Sequence, residues 1–267
     1  MADPRRQLGN EKHLPRHAPG ELVPFAFATI GGAIYGLGMN FEKMVAPLIA
    51  AGQTAVDLQS GSGFLVRIDG QIYLTTAAHL CDFVLAPRSD WSLWPEHVSL
   101  VSTSHTGTGS GTPQPIESYP LFVLGHGNKL VPSFKYVLAP DRTELVVDMI
   151  LIPVQSDSLV ASTYKCFELP SSLGPHETGE AAIQLGRRGD FPALSATHHL
   201  QTVGRGPVRH MYPKGQPGDS GGPVIDSRGR LLGMNMGTHV ERPDEAMLMS
   251  TDLIVATASS RRGVLQS

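Results

Sequence analysis

Gly218-Asp219-Ser220-Gly221-Gly222-Pro223 sets a serine among glycines, and Tyr212-Pro213-Lys214-Gly215-Gln216-Pro217 leads into it. Glycine before and after a short polar run frees the backbone to turn sharply and to aim successive N–H groups inward. A hydroxyl at the centre of such a turn is placed to attack a carbonyl, while the N–H groups stabilise the oxyanion that forms. That is acyl-transfer chemistry. The competing reading is a glycine-rich hairpin turn. Serine is a poor nucleophile on its own, so the first reading requires a histidine base and an acid to orient it.

Candidates for both lie upstream. Gly63-Phe64-Leu65-Val66 and Ile72-Tyr73-Leu74 are short apolar runs divided by Asp69-Gly70, which predicts a β-hairpin. The second run delivers Thr75-Thr76-Ala77-Ala78-His79-Leu80, whose small residues leave room for an imidazole over a crowded strand end. Asp148 opens the apolar stretch Met149-Ile150-Leu151-Ile152-Pro153-Val154; Asp141 and Glu144, in a polar turn, are rival acids.

The hexapeptide around Ser220 and the segment Thr76-Ala77-Ala78-His79 resemble the nucleophile and histidine segments of trypsin-like serine proteases. That family places its aspartate directly before an apolar strand, which favours Asp148 over its rivals. The order His79, Asp148, Ser220 is the chymotrypsin-type order and differs from those of subtilisin-like and α/β-hydrolase chains. Ser60-Gly61-Ser62-Gly63-Phe64-Leu65 and Gly229-Arg230-Leu231-Leu232-Gly233-Met234-Asn235 look more like HtrA-type bacterial or RNA-virus proteases than like disulfide-bonded digestive enzymes. A departure is Asp219, where HtrA enzymes usually carry asparagine.

The resemblance implies a serine endopeptidase working through an acyl-enzyme. Ser220 would attack, His79 would move the proton, Asp148 would fix the imidazole tautomer, and the N–H groups of Gly218 and Ser220 would form the oxyanion hole. Met236, Gly237 and Thr238 would pair with the substrate backbone, and the partner is a protein or peptide. Lys214, six residues before Ser220, would floor the primary pocket unless it turns out to solvent. Asn235 beside it matches an apolar-preferring pattern. No acid is placed to receive arginine or lysine, so a small or medium apolar residue is expected before the cut. A silent scaffold on a protease fold and an esterase with the same triad are the alternatives.

Asp219 would lie buried beneath the oxyanion turn and needs partners. Backbone N–H groups, or Lys214 or Arg209, would supply them; in zymogen-derived relatives a freed N-terminal amine does so, for which Thr29-Ile30-Gly31-Gly32 is the imperfect candidate. No cofactor or metal is implied, and the His198-His199 pair lacks zinc-ligand spacing.

The elements that must position these groups follow from the rest of the chain. Its 267 residues include 29 Gly and 21 Pro with only 17% charged residues, which suits many short strands joined by turns. A net charge of −3 gives no reason to expect nucleic acid or an anionic membrane as a partner. Two cysteines, Cys81 and Cys166, are too few for a disulfide framework, and buried reduced thiols are favoured over a bridge between them.

Residues 1–51 read as a flexible arm, a strand near 22–30, and a helix over Asn40–Ala50 packed outside the first barrel. Residues 52–162 form that barrel, with strands at Val98–Val101, Leu121–Leu124 and Lys135–Leu138 and a mobile loop over 102–115. Residues 163–267 form the second, closed by a short helix over Leu253–Ala258. The expected class is all-β: two antiparallel six-stranded β-barrels with the site at their junction. No apolar run is a signal peptide or a membrane span, so a cytoplasmic chain or one released from a longer precursor is expected. Oligomeric state is open.

Overall fold

The computed structural model describes residues 39–52, 58–84, 86–103, 113–170, 181–187, 192–199, 201–203, 206–238 and 241–260. The expected arm and strand within 1–30 and most of the 102–115 loop lie outside the described residues.

In the first half the strands are β1 (Ala46–Ala51), β2 (Leu58–Ile68), β3 (Gln71–Thr76), β4 (His97–Val101), β5 (Pro115–Pro120), β6 (Phe122–Leu124), β7 (Leu130–Pro132), β8 (Ile150–Val154) and β9 (Cys166–Glu168). The main sheet runs β5-β4-β1-β2-β3-β8, with β9 added parallel to β2, and β6-β7 form a separate hairpin. β2 and β3 are joined as expected through Asp69 and Gly70, both with positive φ, the geometry of a tight two-residue hairpin. Helix α1 (Leu159–Thr163) precedes β9.

The second half holds β10 (Ala182–Arg187), β11 (Leu194–His199), β12 (Gln201–Val203), β13 (Val208–Tyr212), β14 (Pro223–Asp226), β15 (Leu231–Thr238) and β16 (Ala246–Ser250). These form one antiparallel sheet in the order β11-β10-β14-β15-β16-β13-β12. Helix α2 (Thr251–Ser259) follows directly, as the closing helix was expected to, although Ser250 rather than Thr251 or Asp252 is its N-cap.

Side-chain alternation explains how two sheets share one molecule. Leu65 on β2 joins Leu48, Leu74, Leu100 and Ile152 inside the first barrel. Phe64 and Val66, pointing the other way, meet Leu185, Ile225, Met234 and Met249 of the second half in a core between the barrels. Each such side chain stabilises the fold by about 1.5–3 kcal/mol relative to exposure. Ala182, Met211, Val224 and Leu248 fill the second barrel. The architecture is the two-barrel all-β one expected, with seven strands per sheet among the described residues rather than six.

Two expectations fail. Asn40–Ala50 is not a helix: only Phe41–Lys43 makes a single 3-10 turn, and Ala46–Ala51 is β1, paired to both β2 and β4. Its apolar run is buried on both faces, so it carries no polar face to fix a period, and strand partners on either side decide the outcome. Lys135–Leu138 makes only isolated bridges, to Leu151 and Leu145. With β1 and β9 in the first sheet, that sheet draws on residues on both sides of the 52–162 span.

Arg187, only 1% exposed, ties the start of the described chain to the second barrel. Its guanidinium donates to the carbonyls of Val45, Glu42 and Pro192 and pairs with the Glu42 carboxylate at 2.7 Å. Cys81 is buried and Cys166, expected to be buried as well, is half-buried; both are free thiols here. Burial pushes both thiols up, Cys166 to about 11, and Asp148 and Asp82 push Cys81 further.

Candidate active site

His79 sits in a single 3-10 turn, Ala78–Leu80, entered directly from β3. Ala77 and Ala78 are buried, so larger side chains there would meet the barrel end. Asp148, also buried, holds the histidine twice. Its Oδ1 accepts the backbone N–H of His79 at 2.8 Å, and its Oδ2 accepts the imidazole Nδ1–H at 2.5 Å. A carboxylate can only accept, so this bond places the proton on Nδ1 and leaves Nε2 with its lone pair. Burial alone would lower the histidine's pKa, but the hydrogen bond to Asp148 and its negative charge outweigh burial and raise it above 6.5. Neither rival acid reaches the imidazole: Asp141 and Glu144 are exposed.

The Ser220 turn is shaped by glycine. Gly218 has φ +90° and Gly221 φ +81°, and a Cβ on Gly221 would stand 2.3 Å from the Ser62 carbonyl oxygen. Within this turn the N–H groups of Asp219, Gly221 and Gly222 donate to Gln216, Asn235 and Asp219. Those of Gly218 and Ser220 donate to none of the described residues. The Ser220 hydroxyl lies 3.4 Å from the Met236 carbonyl oxygen, to which it donates, and makes no hydrogen bond to His79. His79, Asp148 and Ser220 all line one cleft of about 710 Å³.

No protein-family model and no curated protein sequence matches the chain. Solved structures do. The serine endoprotease from Yersinia pestis superposes with a TM-score of 0.50 at 13% identity, covering 83% of this chain and 66% of that one. The fold is that of the trypsin-like serine proteases. The Rv3671c protease from M. tuberculosis in its active form gives 0.46 at 18% identity, over 85% of this chain and 83% of that chain. The HtrA-type protease AlgW with a tripeptide gives 0.48 at 16%, over 82% and 60% respectively.

On this protease fold the cleft walls come from both barrels. Phe83 and Val84, just past His79, come from the first half. Met236, Gly237, Thr238, Glu241 and Met247 come from the second, so the three residues expected along the substrate edge do line the cleft. Asn235 does not: it is fully buried on β15, where its side-chain oxygen accepts the Gly237 N–H at 3.2 Å. Lys214 is exposed and lies outside the lining, so it turns to solvent instead of flooring a pocket. Glu241 adds an acidic side chain to the lining.

Asp219 is buried as expected and finds a backbone donor. Gln216 N–H gives to Oδ2 at 2.9 Å, and the Ser195 hydroxyl of β11 gives to Oδ1 at 2.8 Å. Ile30 lies outside the described residues. Ser195, Phe83, Glu241 and Met247 were not singled out from sequence. Only Phe83 carried a signal, as a large aromatic close behind His79. Among the described residues no three His, Cys, Asp or Glu side chains gather as a metal site requires. No helix among them is long and apolar enough to cross a membrane.

Proposed function

We propose that the chain is a serine endopeptidase in which Ser220, His79 and Asp148 act as nucleophile, general base and orienting acid. The observation that carries this reading is that the three residues, two from the first barrel and one from the second, line one cleft. Ser220 Oγ attacks the scissile carbonyl while His79 Nε2 takes its proton. The carbonyl oxygen, now negative, is stabilised by the N–H groups of Gly218 and Ser220, each contributing about 3 kcal/mol in comparable sites. The imidazolium, held by Asp148, returns the proton to the leaving amine, and water repeats the sequence on the acyl-enzyme. The apolar walls at Phe83, Val84, Met236 and Met247 favour apolar substrate side chains.

A second reading is a silent binding module on the same fold. It is favoured by one observation, that Ser220 bonds the Met236 carbonyl and not the imidazole. A fluorophosphonate probe separates the two. The endopeptidase labels at Ser220, loses labelling in Ser220→Ala and His79→Ala, and cleaves members of a peptide library. A folded protein that neither labels nor cleaves is the binding module.

A further inference from the structure

Ser62 is a serine with no exposure at all, on β2 of the first barrel, yet every polar atom it carries is spent on the other barrel or on the strand beside it. Its hydroxyl accepts the backbone N–H of Arg187 at 2.8 Å and donates to the carbonyl of Gly218 at 2.8 Å. Its N–H donates to the carbonyl of Ser220 at 3.3 Å, and its own carbonyl accepts from Thr76 Oγ1 at 2.8 Å. One residue therefore grips the carbonyls of both amino acids whose N–H groups stay unpaired on the Ser220 turn.

The geometry gives that grip a purpose. Gly218, with φ +90° and no side chain, rotates more freely than any other residue type would there. The peptide between Gly218 and Asp219 is held at both ends, its carbonyl by the Ser62 hydroxyl and its N–H by the Gln216 carbonyl at 3.0 Å. With that plane fixed, the direction of the Gly218 N–H depends on one soft rotation fewer. The Ser62 hydroxyl is the only side-chain group holding this carbonyl among the described residues.

We propose that Ser62 is a positioning residue of the acyl-transfer site, whose buried hydroxyl, shared between the Arg187 N–H and the Gly218 carbonyl, keeps the N–H groups of Gly218 and Ser220 turned toward the substrate oxyanion. It touches no reacting atom and acts through Gly218. The proposal rests on the endopeptidase reading. A preorganised oxyanion site favours the tetrahedral state over the bound ground state, so loss of Ser62 weakens the first and spares the second.

The test compares the parent protein with Ser62→Ala and Ser62→Thr, using a cleavable peptide, a peptide boronate that forms a tetrahedral adduct, and the product peptide. In Ser62→Ala, kcat falls about 10- to 100-fold, less than the full loss of an oxyanion donor. Boronate affinity falls by the same factor, while KM and product-peptide affinity stay within about threefold. Ser62→Thr, which keeps the hydroxyl, recovers most of kcat. A Ser62→Ala protein with parental kcat overturns the proposal. So does one in which product affinity and thermal stability fall in step with kcat, since that is the mark of a merely structural role. If Ser62→Ala does not fold, Ser62→Cys, which keeps the volume and a weak donor, takes its place under the same criteria. A parent protein that neither cleaves peptide nor labels with fluorophosphonate overturns the endopeptidase reading itself, a result distinct from failure at Ser62.

Discussion

The first barrel holds its polar residues in the cleft through side-chain hydrogen bonds, and the second holds Ser220 there through the shape of its backbone. His79 and Asp148 are placed by burial and by two hydrogen bonds to each other, at 2.8 and 2.5 Å. Ser220 is placed by a turn whose form depends on glycines with positive φ and on close packing against Ser62. The difference teaches where each half is fragile. The first half is sensitive to what a side chain can accept or donate, and the second to any added carbon.

Substitutions can break that contrast in order of size. On the proposed endopeptidase reading Ser220→Ala removes the nucleophile, and peptide cleavage should fall by about 10⁶-fold, as for comparable triads, while circular dichroism and the melting transition stay parental. Retained cleavage would remove Ser220 from the mechanism. On the first barrel, Asp148→Asn keeps the shape but offers an amide where the Nδ1–H now donates. The imidazole then settles in the wrong tautomer, and kcat should drop by about 10⁴-fold. A modest loss, below about tenfold, would show that the Nδ1 proton needs no acceptor there.

Gly221→Ala tests the second barrel's reliance on backbone. Positive φ alone costs a non-glycine residue roughly 1–3 kcal/mol, and the new Cβ also runs into the Ser62 carbonyl at 2.3 Å. Chemical denaturation should show a loss at the top of that range or beyond; an unchanged midpoint would mean the turn tolerates a side chain. Ser195→Ala is milder. It removes one hydrogen bond to the buried Asp219 carboxylate, and chemical denaturation should show a loss of about 1–3 kcal/mol.

The smallest effect is in the pH profile, and it sharpens the contrast. On the same reading His79 serves as the base only when neutral, and Asp148 raises its pKa. Activity should therefore rise through an inflection above 6.5, the ordinary value. Stability moves the other way. A histidine whose folded pKa is raised contributes stability that is fully present below its unfolded value, and this is lost as pH climbs through the folded one. An activity inflection below 6.5 would contradict the pairing with Asp148.

The sequence revealed this architecture unevenly, for physical reasons. Asp69-Gly70 announced its hairpin because few residues accept two positive φ angles in succession. The Gly218–Pro223 run was legible for the same reason: its glycines answer a local backbone demand. β1 was not legible, since Ala46–Ala51 is covered on both faces and its neighbours arrive from distant stretches of chain. Nor could Ser195 be picked out. Its value lies in one hydrogen bond to Asp219, and nothing in the residues around it marks that contact.

The two thiols turn the comparison of barrels into a clock. Cys81 is buried in the first barrel and Cys166 lies on β9 of the same sheet, while the second barrel contains no cysteine. With Cys166 held near 11, little thiolate exists at neutral pH, and an alkylating reagent reacts slowly with it in the native protein. Cys81 becomes reactive only when the first barrel opens. The rate at which iodoacetamide marks Cys81 thus counts openings of the half that carries His79 and Asp148, and is blind to those of the half that carries Ser220.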